Sequence, residues 1–497
     1  MADPRIAFSN SYARLPEAFF TRVAPTVVAQ PRLLLFNEPL AAELGIGLDG
    51  VAPAALAEIF SGNRLPAGAD PISTVYAGHQ FGGFSPQLGD GRAILLGEVL
   101  DRDNRRRDIQ LKGAGRTPYS RRGDGRAALG PVLREYIVSE AMHALGIPTT
   151  RALAAVATGE PVYREERLPG AVLTRVAASH VRVGTFQFFA SRGDTSAVRR
   201  LADHVIARHY PDARDSALPY RALLQAFAQR HADLVARWMA VGFIHGVMNT
   251  DNMAVSGETI DFGPCAYMEA YDPATVFSAI DEQGRYAYAN QPWAAQWNLA
   301  RFAETLVPII DADPARATEL AQAVIDDFPQ LFESQWLTAM RAKLGLQIPQ
   351  DKDAELIAGL LDTMHANDAD FTLTFRRLGD LAERGANAGM DSAGARALFA
   401  DPAAFDAWAA QWQQRLQHEP AGPRARAQSM RAHNPARIPR NHRVEQALRA
   451  ATDTQDLAPA TALLAALAMP YQDASPLAEY ALPAGPAERV MKTFCGT

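Results

Sequence analysis

The chain has 497 residues, with 48 % hydrophobic and 21 % charged positions and a formal net charge of −6. That length accommodates two or three domains around a large core, the composition is ordinary for a globular protein, and the charge excludes a global basic field aimed at nucleic acid or an acidic membrane. Cys265 and Cys495 are the only two cysteines, which excludes a disulfide framework, although one bridge between them stays open. No apolar run has membrane-spanning length, and the start, Met1-Ala2-Asp3-Pro4-Arg5, lacks the regions of a signal peptide. The expectation is a soluble cytoplasmic protein.

Residues 1–70 mix short helical and loop signals, with an apolar run at 32–36 and a helical turn at 40–44. From 72 to 190 the pattern is strands and tight turns. Residues 93–100 form one predicted strand, and 101–107 a polar, Arg-rich turn. The alternation in 108–112 predicts an antiparallel return, with Asp108, Gln110 and Lys112 on one face and Ile109 and Leu111 on the other. A helix is predicted over 131–145, with Pro131 in its first turn and Gly146 and Pro148 as its stop. Strands follow at 151–157, 161–164 and 171–177. Helical periodicity takes over from about 195 and is clearest at 220–241. Loop and hairpin interrupt it at 243–263. Helical pattern returns at 293–345 and 353–418, residues 419–443 read as a solvated Pro/Arg/Asn-rich connector, helices resume at 444–469, and the tail 470–497 is Pro-rich.

The chemistry concentrates in His245-Gly246-Val247-Met248-Asn249-Thr250-Asp251-Asn252-Met253 and the following Asp261-Phe262-Gly263. An Asp-Asn pair on one loop and an Asp-Phe-Gly on the next turn can converge on a single divalent cation. Such hard oxygen ligands suit Mg²⁺ or Mn²⁺ bound to nucleotide phosphates, and Asp-Phe-Gly after a strand is the metal-binding signature of protein kinases. Gly-Asp-Gly-Arg occurs at 89–92 and again at 123–126. Each copy reads either as an ordinary Asp-Gly turn or as a phosphate-cradling loop with an arginine beside it. Lys112 ends a predicted strand, and Glu135, one turn into the following helix, is its preferred partner over Glu140, which lies on another face. Arg175 and Arg182 flank a strand-like run and read as cleft cations or as surface charge. His245 reads first as a packed histidine held by backbone, and Cys265 as a small buried hydrophobe.

A strand-rich first part, one helix after the third strand and a helical second part with a metal loop make an α+β, protein-kinase-like two-lobe plan. The expected divisions are a β-rich lobe with N-terminal extension at 1–190, a helical lobe with the metal loops at 191–345, and a helical C-terminal extension at 346–497. One departure separates it from a kinase: Gly246 and Val247 follow His245 where the catalytic Arg-Asp belongs.

Over nearly its whole length the chain resembles the selenoprotein O family, also called YdiU, a group with a pseudokinase-like fold. The likeness rests on Tyr76-Ala77-Gly78-His79-Gln80-Phe81-Gly82, Gln110-Leu111-Lys112-Gly113, Arg134-Glu135-Tyr136, the segment 245–253, Gln283-Gly284-Arg285-Tyr286, Asn434-Pro435, Arg440-Asn441 and Cys495. The resemblance implies metal-dependent transfer of AMP from ATP, or UMP from UTP, to Ser, Thr or Tyr hydroxyls of proteins, with release of pyrophosphate. The nucleotide is inverted relative to kinases. It implies nucleotide contacts from Gly89, Gly91, Arg92, Lys112, Asp124, Gly125, Arg175, Arg182 and Asp261, with Glu135 positioning Lys112. Asn252 and Asp261 become the metal ligands, Asp251 the proton acceptor, and Cys265 with Cys495 a redox pair. A kinase-type phosphotransferase is disfavoured by Gly246-Val247. A non-catalytic nucleotide-binding pseudokinase is disfavoured by the retained Lys112, Asp251, Asn252 and Asp261.

Overall fold

The structure, a computed structural model, describes residues 3–384, 394–473 and 475–494. The first part of the chain contributes strands β1 (Phe20–Arg22), β2 (Arg32–Phe36), β3 (Ile72–Thr74), β4 (Gly78–Gln80), β5 (Gly83–Ser85), β6 (Ala93–Leu100), β7 (Arg106–Lys112), β8 (Ala127–Ala128), β9 (Arg151–Tyr163) and β10 (Arg167–Ala177). All but the β4–β5 hairpin join one antiparallel sheet in the order β1-β3-β6-β7-β10-β9-β2, with β8 pairing to the side of β10. The predicted turn between β6 and β7 is built by Asp101, whose side chain accepts from the backbone N–H groups of Asp103 and Arg105 at 3.0 and 2.8 Å. Two strands expected at 151–157 and 161–164 are one strand, β9. It bends where Gly159 adopts φ +74°, and register shifts in its pairing with β10 absorb the bend.

Helices α1 (Glu38–Glu43), α2 (Pro53–Phe60) and α3 (Leu129–Ala144) cover this sheet. The period-2 pattern sorts its faces. Ile94, Leu96, Ile109 and Leu111 meet Leu40, Leu44, Leu56 and Phe60 of α1 and α2 in one apolar layer. The other face presents Ala152, Ala155 and Ala171, small enough for α3 to lay Leu133 and Ile137 close against it. Helix α3 begins two residues before its predicted start and ends where Gly146 takes φ +76°.

The rest of the described chain is mainly helical: α4 (Val183–Ala190), α5 (Thr195–His209), α6 (Pro219–Ala240), α7 (Gln291–Ile310), α8 (Pro314–Leu344), α9 (Asp353–Ala366), α10 (Phe371–Arg384), α11 (Pro402–Leu416), α12 (Pro423–His433), α13 (Asn441–Asp453) and α14 (Ala458–Leu467). Between α6 and α7, strands β11 (Phe243–Ile244) and β12 (Ala266–Tyr267) pair antiparallel and clamp the ends of the motif loop. Helices α13 and α14 return to the first part of the chain and pack Val444, Leu448 and Leu463 against α3.

The expected solvated connector at 419–443 is corrected. It contains helix α12, and Arg437 and Arg440 are buried. Arg440 pairs with Asp370 at 2.6 Å and Glu269 at 3.1 Å, and Arg437 donates to the carbonyls of Ala466 and Met469. Local composition signalled polarity, but the acceptors that bury these arginines come from distant segments. No helix among the described residues is long and apolar enough to cross a membrane.

Candidate active site

Strands β6, β7 and β10 converge with the motif loop on a cavity of about 470 Å³. Lys112, at the end of β7, projects from the face its alternation predicts. Its Nζ donates to Glu135 Oε2 at 2.6 Å and to Asp261 Oδ1 at 2.7 Å. Glu135 sits on α3 and also accepts from Arg175 Nη1 at 3.1 Å, so one buried carboxylate holds two cations. Glu140 faces elsewhere and binds Arg151. Arg175 is inside β10, nearly fully buried, and its second arm donates to Gln110 Oε1 at 2.7 Å. Gln110 in turn donates to Asp90 Oδ2 at 3.1 Å, an oxygen that also accepts from Thr74 Oγ1 at 2.7 Å. A continuous polar chain therefore crosses the sheet from Thr74 to Asp261. Sequence reasoning put Gln110 on the face of Lys112 but gave no role to it, to Asp90 or to Thr74. The signal for Asp90 lay inside the first Gly-Asp-Gly-Arg.

Both copies of that tetrapeptide line the cavity. Their glycines are demanded by packing. A Cβ on Gly89 would lie 2.4 Å from Tyr119 Cγ, one on Gly91 2.8 Å from Tyr119 O, and one on Gly125 2.1 Å from Gly115 O. The loop 115–121 is thereby wedged between the two copies, and its Ser120 hydroxyl donates to Gly91 O. Asp124 takes both arms of Arg164, at 2.8 and 3.1 Å, and caps the Arg126 N–H at 2.9 Å. The Arg164 hydrogen bond holds its carboxyl below the usual range against the opposing effect of burial. Arg126, the arginine of the second copy, lines the cavity, and so does Arg164, a cation that sequence reasoning did not single out.

The motif loop supplies the opposite wall. Arg182 donates to the Asp251 carbonyl at 2.6 Å, and its guanidinium lies 4.8 Å from the Tyr76 ring centre. The two motif carboxylates are treated oppositely. Burial raises Asp251 to about 6 despite Arg182; Gln80 Nε2 donates to its Oδ2 at 3.2 Å, while its buried Oδ1 has no hydrogen-bond partner. Burial would also raise Asp261, but Lys112, Arg175 and Arg182 overcome it and hold that carboxyl well below the ordinary carboxylate range. Asp261 keeps this position at φ +71°, a left-handed conformation unusual for a residue with a side chain.

Asn252 is buried next to Asp251 and outside the cavity lining; its Nδ2 donates to Val247 O at 2.9 Å, which leaves Oδ1 as its acceptor atom. Among the described residues no three His, Cys, Asp or Glu side chains form a metal cluster. The local donor set is instead mixed: the Asp261 carboxylate and the Asn252 amide oxygen are hard donors that fit Mg²⁺ or Mn²⁺. His245 is the packed residue expected: its Nε2–H donates to Ile260 O at 2.9 Å and burial lowers its pKa. Cys265 is buried, its thiol donating to Phe262 O at 3.3 Å. Cys495 lies outside the described residues. Thr493, two residues before it in sequence, donates through Oγ1 to Pro264 O at 2.5 Å.

The cavity thus gathers Gly89, Gly91, Arg92, Lys112, Asp124, Gly125, Arg175, Arg182, Asp251 and Asp261, with Glu135 behind Lys112. A family model described as protein adenylyltransferase SelO matches residues 4–468. A Rhizobium rhizogenes protein called protein nucleotidyltransferase YdiU is 63 % identical over 495 residues, covering 99 % of this chain and 97 % of the relative. Proteins of the same description from Rhizobium meliloti and Bradyrhizobium diazoefficiens are each 61 % identical, covering 99 % of both chains. A family match and sequence identity of this extent leave one assignment: this chain belongs to the SelO family of protein adenylyltransferases and is a nucleotidyltransferase.

Proposed function

We propose that the protein transfers AMP from ATP to Ser, Thr or Tyr hydroxyls of proteins, on a protein-kinase-like two-lobe scaffold divided near residues 190 and 345. The observation that carries this reading is the contrast between two carboxylates at one cavity: Asp261 fixed as an anion among cations, and Asp251 poised near neutrality with an unpartnered oxygen. Enzymes that must take a proton and hold a charged phosphate chain at one place need that division.

The triphosphate is inverted, its outer end tucked toward Lys112. Two of the three ammonium N–H groups of Lys112 are spent on Glu135 and Asp261, and the third is available to phosphate. Gly89, Gly91, Arg92, Asp124 and Gly125 form the wall that meets the nucleotide, and Arg175 and Arg182 add fixed positive charge. These cations stand where pyrophosphate departs, so they stabilise the transition state without reorganising. Asp251 Oδ1 takes the proton of the acceptor hydroxyl as its oxygen bonds to the α-phosphorus. Asn252 and Asp261 would hold a Mg²⁺ or Mn²⁺ ion, which when bound neutralises charge on the phosphates.

The test uses two labels. With ATP labelled at the α-phosphate, protein acceptors should become radioactive, and with the γ-label they should not; intact mass should rise by AMP. Transfer of the γ-label alone would make the protein a kinase-type phosphotransferase, and no transfer of either a binding protein. The same assay with labelled UTP reads whether UMP is also transferred. We also propose that Cys265 and Cys495 form a redox pair, supported by the anchoring of Thr493 at Pro264. Non-reducing peptide mapping under oxidising conditions should recover the linked peptides; two free thiols would remove this assignment.

A further inference from the structure

The sequence motifs at 76–82 and 283–286 hold neither phosphate nor metal in this scheme, yet both end beside Asp251. Gln80 donates to Asp251 Oδ2 at 3.2 Å. Asn249, two residues before Asp251, accepts at Oδ1 from the Phe81 N–H at 3.0 Å and from the Tyr286 hydroxyl at 2.8 Å. The Phe81 and Tyr286 rings lie 5.2 Å apart, and a Cβ on Gly82 would stand 3.6 Å from Arg285 Nη1.

From this junction an aromatic surface runs outward. The Arg285 guanidinium lies 4.9 Å from the Trp293 ring centre and 4.8 Å from that of Trp297. The His79 ring is 5.2 Å from Trp297 and 4.8 Å from Phe84. Trp293 is 50 % and Phe84 42 % exposed. Neighbouring Arg301 is neutralised by Glu304 at 2.6 Å, whereas Arg285 hydrogen-bonds only the neutral Tyr286 side chain and no carboxylate among the described residues pairs with its guanidinium.

We propose that this arginine–tryptophan surface docks the acceptor protein, through an acidic segment that lays a carboxylate on Arg285 and delivers its hydroxyl to Asp251. The proposal rests on the reading of Asp251 as the proton acceptor. A protein acceptor has to approach Asp251 from outside the nucleotide cavity, and this surface borders it there. Stacking occupies the faces of the guanidinium and Nε is buried, so a carboxylate would meet the terminal Nη groups. The half-exposed Trp293 and the partly buried Trp297, already ordered by an arginine, contribute apolar contact at little further entropic cost, the composition expected of an interface centre.

The full-length protein is tested with ATP and metal against two probes, a random Glu/Tyr copolymer and a random Lys/Tyr copolymer. Titration of intrinsic tryptophan fluorescence should detect the acidic copolymer and not the basic one. The acidic copolymer should be labelled, and Arg285→Ala should raise its KM about tenfold while the KM for ATP stays within about twofold. Trp293→Ala, which leaves the arginine in place, should weaken the same KM. Equal binding of both copolymers, binding of neither, or an unchanged acceptor KM in Arg285→Ala overturns the docking surface. Asp251→Asn should still bind the acidic copolymer but no longer label it; full activity in that variant overturns the proton-acceptor reading instead and is distinguishable because the binding data stand apart from turnover.

Discussion

At the scale of single residues, the site depends on how two carboxylates ten positions apart in numbering come to differ. Asp261 belongs to a cluster in which Lys112, Arg175 and Arg182 outweigh the cost of burial, so Asp261→Ala removes a counter-charge of Lys112 and the proposed metal donor together. That variant should lose transfer by orders of magnitude and bind metal–nucleotide more weakly, as read by calorimetry with a non-hydrolysable ATP analogue. Asp251 has no such cluster. Asp251→Ala should keep nucleotide affinity and lose turnover, the opposite pairing. Burial puts the Asp251 pKa at about 6, and the proposed base is competent only when ionised. Activity should therefore fall as pH drops through about 6 and plateau above it, and a kcat profile that stays flat from pH 5 to 8 would contradict the assignment.

At the scale of elements, the two Gly-Asp-Gly-Arg loops work by close packing before they work by chemistry. Gly125 has φ +70°, and a Cβ there would meet backbone atoms of Gly115 and Arg116 that cannot rotate away. Gly125→Ala should push the 115–121 loop off the second copy, raise the KM for ATP and lower the melting temperature, with damage concentrated on nucleotide binding because Arg126 and Arg164 move with the loop. The alternation in 108–112 made the strand, its partner and its functional face legible in sequence. The Lys112–Glu135 pair was legible too, since helical spacing separates Glu135 from Glu140. The cross-sheet chain Thr74–Asp90–Gln110–Arg175 was not, because each member touches the next only after strands far apart in sequence are laid side by side. The bend in β9 escaped for a related reason: Gly159 and the paired Pro161 and Pro169 read locally as a turn, while pairing with β10 carries the strand through.

At the scale of the whole molecule, the C-terminal third is bound into the rest through buried charge as well as apolar packing, and Lys343 near the end of α8 measures what such charge costs. It is almost fully buried, with its ammonium 4.3 Å from the Phe375 ring centre and 5.4 Å from that of Phe371. Burial lowers its pKa from 10.5 to about 7. The unfolded chain keeps the ordinary value, so below about pH 7 both states carry the proton and the folded state bears the whole desolvation cost. Between about 7 and 10.5 the folded state sheds its proton first and the cost shrinks; above 10.5 it vanishes. The two rings return on the order of 2 kcal/mol to the cation, less than complete compensation. Lys343→Met, which keeps the stem and drops the charge, should therefore raise the melting temperature at pH 6 to 7, and its advantage over the parent should narrow steadily as pH is raised toward 10. Thermal denaturation of the two proteins across that range reads the difference directly. A variant less stable than the parent at every pH would mean that the aromatic pair repays the buried ammonium in full.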